Sequence, residues 1–409
     1  MAEIEVPEYF VCPISLEIMK DPVTTATGIT YDRKSIERWL LTAKERKCPV
    51  TKQPLLPDSA LTPNSTLLRL IQAWSSGNVH NGVVRVPTLK PLFTSIHVHK
   101  LISDLRIPHL YETTLRKLDA LARHSETDRR CMVESGVLEA MLSVITHSFN
   151  EGITICLEEA LRIFRLLWAA SSSTAHMKPL FCANLDFITC LTWALQIDAS
   201  NKVNIVNETM PSLKSTIEAA DPTLLGSLEV EFFREITRVL KNRRVSEQAI
   251  KSALQVLIET CPLGRNRTKI VESGAVFELI DLELEKPTKK ITELVFNLLV
   301  HLCSCADGRE QFVQHAAGIA VLSKRILRVS NATDDRAVHI LSLIAKHSSS
   351  NDVVLEMLRV GAVSKLCMLM QADCASYLKE KTRSILRLHS KTWNNSPCIQ
   401  LYLLTRHQR

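Results

Sequence analysis

The sequence predicts a mostly α-helical chain that opens with one small α/β module. Three observations carry this. Glycine is scarce, at 11 of 409 residues, while Leu, Ile, Ala, Glu, Lys and Arg are plentiful, a composition that favours helix over sheet. From about Ile96 onward, apolar stretches alternate with short polar turns, helix after helix. Before that lie two runs of one pattern, Cys12-Pro13-Ile14-Ser15 and Cys48-Pro49-Val50-Thr51, each Cys, Pro, a β-branched apolar residue and a hydroxyl.

Proline fixes φ and turns the preceding residue away from helix, so both runs are expected to be rigid loops. Between them, Val23–Ala26 and Ile29–Tyr31 read as short strands joined by a turn at Thr27-Gly28. Asp32 is placed to cap the next helix, on which Ile36, Trp39 and Leu40 share a face. Thr62-Pro63 reads as a second helix start, followed by a stripe of Leu67, Leu70, Ile71 and Trp74. Two rigid loops flanking one helix make a shallow platform with apolar tips, a surface for another protein.

So small a module often uses zinc as a staple, but Cys12 and Cys48 are the only cysteines in it and no His precedes Val79. No metal and no other cofactor is therefore expected. Polar side chains should do the stapling, with Glu17, Lys20, Asp21, Thr27, Asp32, Arg33 and Lys52 as candidates. A reactive cysteine needs a neighbouring base or positive site, so Cys12 and Cys48 read as structural. All twelve cysteines of the chain read as reduced thiols.

The run from Cys12 through Leu16, Glu17, Met19, Asp21 to Val23, then Gly28-Ile29-Thr30-Tyr31-Asp32-Arg33, Trp39-Leu40, Cys48-Pro49 and Pro63-Asn64, resembles the U-box. The resemblance implies a zinc-free, RING-like α/β fold over residues 5–79 and the work of a ubiquitin ligase. It implies that Pro13, Ile14, Trp39 and Pro49 contact a ubiquitin-conjugating enzyme. It also implies that Lys52 stands where many U-boxes place a basic residue touching both that enzyme and ubiquitin. Cys12, Glu17, Asp21, Asp32 and Cys48 are the implied structural residues.

Ser75 to Pro91 is rich in Gly, Asn, Val and Pro, and residues 80–95 read as a linker. In residues 96–409 one phrase returns, as Arg130–Val137 and Lys269–Ala275, with looser copies ending at Gly318-Ile319 and Gly361-Ala362. Asn184-Leu185 and Leu225-Gly226 fill the gap, at spacings of roughly 42 to 48 residues. Strongly apolar stretches precede the turns, at Leu161–Leu167, Ala253–Ile258, Leu294–Leu302 and Val338–Ile344. Such units stack into a right-handed solenoid. This resembles armadillo repeats, about six of them, with irregular copies near Val203 to Asn242 and a last, capping helix at Leu378–Leu388. The tail through Trp393 to Cys398 resembles the ending of plant U-box/armadillo ligases. The Trp-and-Asn ladder of nuclear-import carriers is absent: four residues after Trp168, Trp193 and Trp393 stand Ser172, Ile197 and Pro397.

The remaining features read as bland. Lys241 to Arg244 is a solvated helix end, and His301, His315, His339 and His347 are turn or surface histidines. A net charge of +7 does not point to nucleic acid. No apolar run reaches the roughly 18 residues of a membrane span, and no signal peptide is seen. The cytoplasm is the expected location, with the nucleus as a second one. The expected function is a scaffold ligase: the U-box docks a ubiquitin-charged conjugating enzyme and the armadillo groove holds a protein substrate. The rival is a non-catalytic adaptor whose U-box serves self-association into a homo-oligomer. The resemblance also suggests plant stress or immune signalling.

Overall fold

Short Thr- and Val-rich runs broken by Gly28 fold the first unit around a small antiparallel sheet. Strands β1 (Pro22–Thr24) and β2 (Thr30–Asp32) pair with Val23 opposite Tyr31. Gly28 takes φ +80° in the turn, which a side chain disfavours. The first strand is shorter than the sequence suggests and starts one residue earlier, and the second keeps its length one residue further on. The Thr25 hydroxyl bonds Thr27 at 2.9 Å and the Ile29 carbonyl at 3.1 Å, which draws Ala26 into the turn. Helix α1 (Arg33–Thr42) follows.

Thr62-Pro63 does not start a helix. It forms strand β3 (Thr62–Pro63), which pairs with the far edge of β1 in the order β2-β1-β3. An edge strand tolerates a proline that has no amide to donate. Asn64 is the cap instead: its Oδ1 accepts from the Leu67 amide at 3.0 Å, and helix α2 runs Ser65–Gly77. Ile71 of α2 is fully buried with Phe10, Met19, Val23, Tyr31, Ile36 and Leu55, while Leu67 and Trp74 pack at the margin. Leu70 does not belong to the stripe and is 51% exposed; Leu68 packs on the core in its place.

The computed structural model describes residues 6–42, 47–55, 61–77, 95–171, 185–197, 203–347 and 351–406. The chain divides into two compact units, Met1–Thr94 and Ser95–Arg409. Most of the expected linker, and Asn184, lie outside the described residues; Ser95 already opens a helix.

The second unit is helical throughout its described residues. One row of its helices is α3 (Pro108–His124), α4 (Leu157–Ala170), α5 (Val203–Ala219), α6 (Glu247–Thr260), α7 (Lys289–Cys303), α8 (Asn331–His347) and α9 (Ser376–Leu388). Each packs on the next, and the four apolar stretches read from the sequence fall in α4, α6, α7 and α8. A second row, from Val137–Glu151 through Leu185–Gln196 and Val230–Lys241 to Ala275–Leu284, stacks in the same way. Stacking buries what one unit cannot bury alone: α7 hides Ile291, Val295, Phe296, Leu298, Leu299 and Leu302.

The recurring glycines divide into two kinds. Gly136, Gly274 and Gly361 take φ of +82°, +80° and +76° at helix entries. Gly318 instead opens its helix because Phe312 is close: a Cβ there would sit 2.3 Å from the Phe312 carbonyl oxygen. The irregular copy near Val203 contains Pro211 inside α5 and a five-residue helix at Pro222–Gly226.

The chain does not end its helices at Leu388. Ser390–Trp393 and Pro397–Arg406 follow, and Trp393 is fully buried, its indole N–H donating to the Val354 carbonyl at 3.0 Å. Nor is Lys241 to Arg244 simply solvated: Lys241 faces Glu278 at 3.5 Å and Arg243 faces Glu285 at 2.5 Å, tying this helix end to the following repeat. His315 is largely buried, with Nε2 3.2 Å from Asp281. Eleven described cysteines are free; six are buried and five partly so. No described helix is long and apolar enough to cross a membrane.

Candidate protein-docking site

The two Cys-Pro loops share one backbone frame. In the first, the Cys12 amide donates to the Glu17 carbonyl at 2.8 Å and the Leu16 amide to the Cys12 carbonyl at 2.9 Å. In the second, Cys48 donates to Gln53 at 2.8 Å and Lys52 to Cys48 at 2.9 Å. Leu16 and Lys52, each four residues after the cysteine, take left-handed φ of 59° and 60°. Val11 bridges to Ile18 and Lys47 to Pro54 at the loop bases.

Strand β2 holds both loops. Successive residues of a strand point to opposite faces, so Tyr31 and Asp32 serve different loops. The Asp32 amide donates to the Cys12 sulfur at 3.2 Å, and its Oδ2 accepts from the Lys20 and Asp21 amides at 2.9 and 3.1 Å. The expected helix cap is thus a clamp on the first loop. The Tyr31 hydroxyl sits 3.0 Å from the Cys48 sulfur, and the Val50 amide donates to that hydroxyl at 3.4 Å. The Thr27 hydroxyl and the Thr51 amide also donate to Cys48, at 3.3 and 3.4 Å.

Electrostatics follow from these contacts. Burial works to raise the Cys48 thiol, but the donors Thr27, Thr51 and Tyr31 outweigh it and bring it down to about 6. Cys12 is also lowered: amide donors from Ser15, Asp32 and Ile14 overcome burial. Burial, together with the bond to Cys48, pushes Tyr31 up. Both sulfurs are fully buried.

The expected polar staples divide. Asp21 pairs with Arg33 at 2.6 Å, and Asp32, Thr27, Cys12 and Cys48 work as described. Glu17, Lys20 and Lys52 contribute backbone groups, while their side chains are exposed and make no hydrogen bond among the described residues.

The tips are left outward. Pro13 is exposed, and Ile14 is half-buried against the core. Trp39 of α1 is 36% exposed, and its indole N–H donates to the Lys47 carbonyl at 3.1 Å, tying α1 to the base of the second loop. Pro49 is half-buried. Sequence reasoning missed two members of this surface, Leu16 and Val50, which are 78% and 50% exposed. It also missed Tyr31 as the second loop's anchor. Aligning the two Cys-Pro runs residue by residue would have flagged Val50 opposite Ile14 and Leu16 opposite Lys52.

Residues 6–80 match the U-box domain, and residues 97–409 match the plant U-box protein ARM repeat region. The chain is 39% identical over 403 residues to E3 ubiquitin-protein ligase PUB23 of Arabidopsis thaliana, covering 97% of this chain and 96% of that one. It is 36% identical over 432 residues to E3 ubiquitin-protein ligase PUB22 of the same plant, covering 97% of each. Among solved structures, the crystal structure of an engineered protein aligns at TM-score 0.50 and 18% identity, over 71% of this chain and 67% of that one, a likeness of fold. The paired loops and the stacked helices each fall within one of the two matched regions, and the chain belongs to the plant U-box protein family in which a U-box precedes an ARM repeat region.

Proposed function

We propose that this chain is an E3 ubiquitin-protein ligase of the scaffold type. The similar Arabidopsis proteins carry that name. The observation that supports the mechanism most is the pair of matched loops, locked from beneath by Tyr31 and Asp32, with apolar tips turned outward. Pro13, Ile14, Trp39 and Pro49, with Leu16 and Val50 beside them, dock a ubiquitin-charged conjugating enzyme. Lys52 adds a charge at the rim. Lysine is a point charge where arginine would bring a planar fork, so Lys52 steers more than it grips.

The chemistry needs no nucleophile here. A substrate lysine amine attacks the thioester carbonyl, the amide bond forms, and the conjugating enzyme's thiolate leaves. The ligase supplies proximity and orientation. A thiol brought down to about 6 would suit a nucleophile, but Cys48 is sealed beneath its loop and its sulfur is occupied by three donors. The ARM repeats hold the substrate. Incubating the purified chain with ubiquitin, activating enzyme, ATP and a broad panel of conjugating enzymes tests the reading. Ubiquitin chains that survive thiol reductant support it. No chains with any member would leave the adaptor role in its place.

A further inference from the structure

Helices α3 to α9 stack side by side, so their outward residues form one continuous face whose charge changes along the row. Over α3 to α5 the face neutralises itself. Arg162 of α4 lies 3.2 Å from Asp119 of α3, 2.5 Å from Glu158 and 3.2 Å from Glu208 of α5. Arg165 adds a contact to Glu208 at 2.7 Å, and Arg123 one to Asp119 at 2.5 Å. Three guanidinium groups and three carboxylates answer one another.

Further along, the balance differs. A polar cleft of about 410 Å³ is lined by Gln248, Lys251 and Gln255 of α6, Lys290 and Asn297 of α7, and Arg336 of α8, with Glu293 the carboxylate among its lining residues. Lys251 is paired with Glu247 at 2.5 Å. Lys290 and Arg336 make no ion pair among the described residues; Arg336 donates only to the Glu293 backbone carbonyl, at 2.8 Å. Burial, then Arg267 and Arg336, hold His301 of α7 below its usual range; burial, then Lys381 of α9, does the same to His339 of α8 against the opposing pull of Asp335, with which Lys381 pairs at 3.6 Å.

We infer that the face over α6 to α9 binds an extended, carboxylate-rich peptide segment of the substrate, an inference that rests on the substrate-holding role proposed above. Lys290, which acts on Glu247 only at a distance, and Arg336 supply charge that no ion pair among the described residues holds, for Asp or Glu side chains. The amides of Gln248, Gln255 and Asn297 supply the donor–acceptor pairs that an extended backbone needs. Four helices packed about 8–10 Å apart are spanned by roughly ten extended residues.

The test is fluorescence anisotropy of the full chain with labelled peptides of about ten residues, alternating Ser with Glu, with Lys or with phosphoserine. No conjugating enzyme is present, so failure here leaves the ligase reading standing, and failure of ligase activity does not touch the binding result. The Glu peptide should bind and the Lys peptide should not. Added salt should weaken binding, and Lys290→Glu with Arg336→Glu should weaken it about tenfold, with an unchanged far-UV circular dichroism spectrum. Equal binding of Glu and Lys peptides, or full affinity in the doubly reversed variant, overturns the proposal. So does tighter binding of the phosphoserine peptide than of the Glu peptide, which would move the site to a phosphorylated partner.

Discussion

The Tyr31 hydroxyl lies 3.0 Å from the Cys48 sulfur and accepts from the Val50 amide at 3.4 Å, so one side chain fixes the second Cys-Pro loop from beneath. Tyr31→Phe keeps the ring in the core and removes both bonds. It should cost about 1–2 kcal/mol in denaturant unfolding and move the Cys48 ionisation upward, read from thiolate absorbance against pH. Unchanged ionisation would mean that the hydroxyl does not donate to the sulfur.

The same sulfur makes stability depend on pH. Cys48 ionises at about 6 in the folded chain, below the roughly 8.5 of a free thiol. The folded state therefore binds fewer protons between those values, and stability is fully present above the higher one and lost as pH falls through the lower. Thermal melts of the wild type should rise from pH ~6 to pH ~9 relative to Cys48→Ser. Parallel curves would contradict a folded-state thiolate.

Leu16 and Lys52 take the same left-handed conformation at the same step of the two loops. That conformation costs a side chain about 1–2 kcal/mol. Leu16 is 78% exposed, so little packing offsets the strain. Leu16→Gly should raise the unfolding free energy by about 1 kcal/mol while weakening docking by removing an apolar tip. A variant less stable than wild type would show that Leu16 is held by contacts rather than strained.

Much of this was legible in the sequence, for reasons that differ by residue. Proline announces a rigid loop locally, so Pro13 and Pro49 marked the two paired loops. Apolar helical periodicity marked α4, α6, α7 and α8. Asp32 was placed correctly before a helix, but whether its carboxylate turns to the helix or to the first loop depends on the tertiary position of Lys20 and Asp21. Thr62-Pro63 fits a helix start by local preference, and pairing with β1 overrides it. Leu70 has the right spacing for the stripe and the wrong angle for the core. The partner of Arg243 comes from the following repeat, which only stacking reveals.

Arg162 is 15% exposed and holds carboxylates from three successive long helices. Arg162→Met keeps the length and leaves Asp119, Glu158 and Glu208 facing one another. Burial already raises Asp119 and Glu158 toward their neutral forms. The substitution should cost about 3 kcal/mol at neutral pH, and less in acid where those groups protonate. Equal losses at both pH values, by denaturant titration, would show that packing rather than charge accounts for the effect.

The central claim is that the loop tips hold a charged conjugating enzyme in reactive contact. Ile14→Ala and Trp39→Ala should each weaken binding of a ubiquitin-charged conjugating enzyme about tenfold or more, measured by titration with the full chain, and slow ubiquitin discharge onto lysine in step. Circular dichroism should report an intact fold. If both variants stay folded and bind and discharge as the wild type does, the docking surface is not the one formed by these two loops.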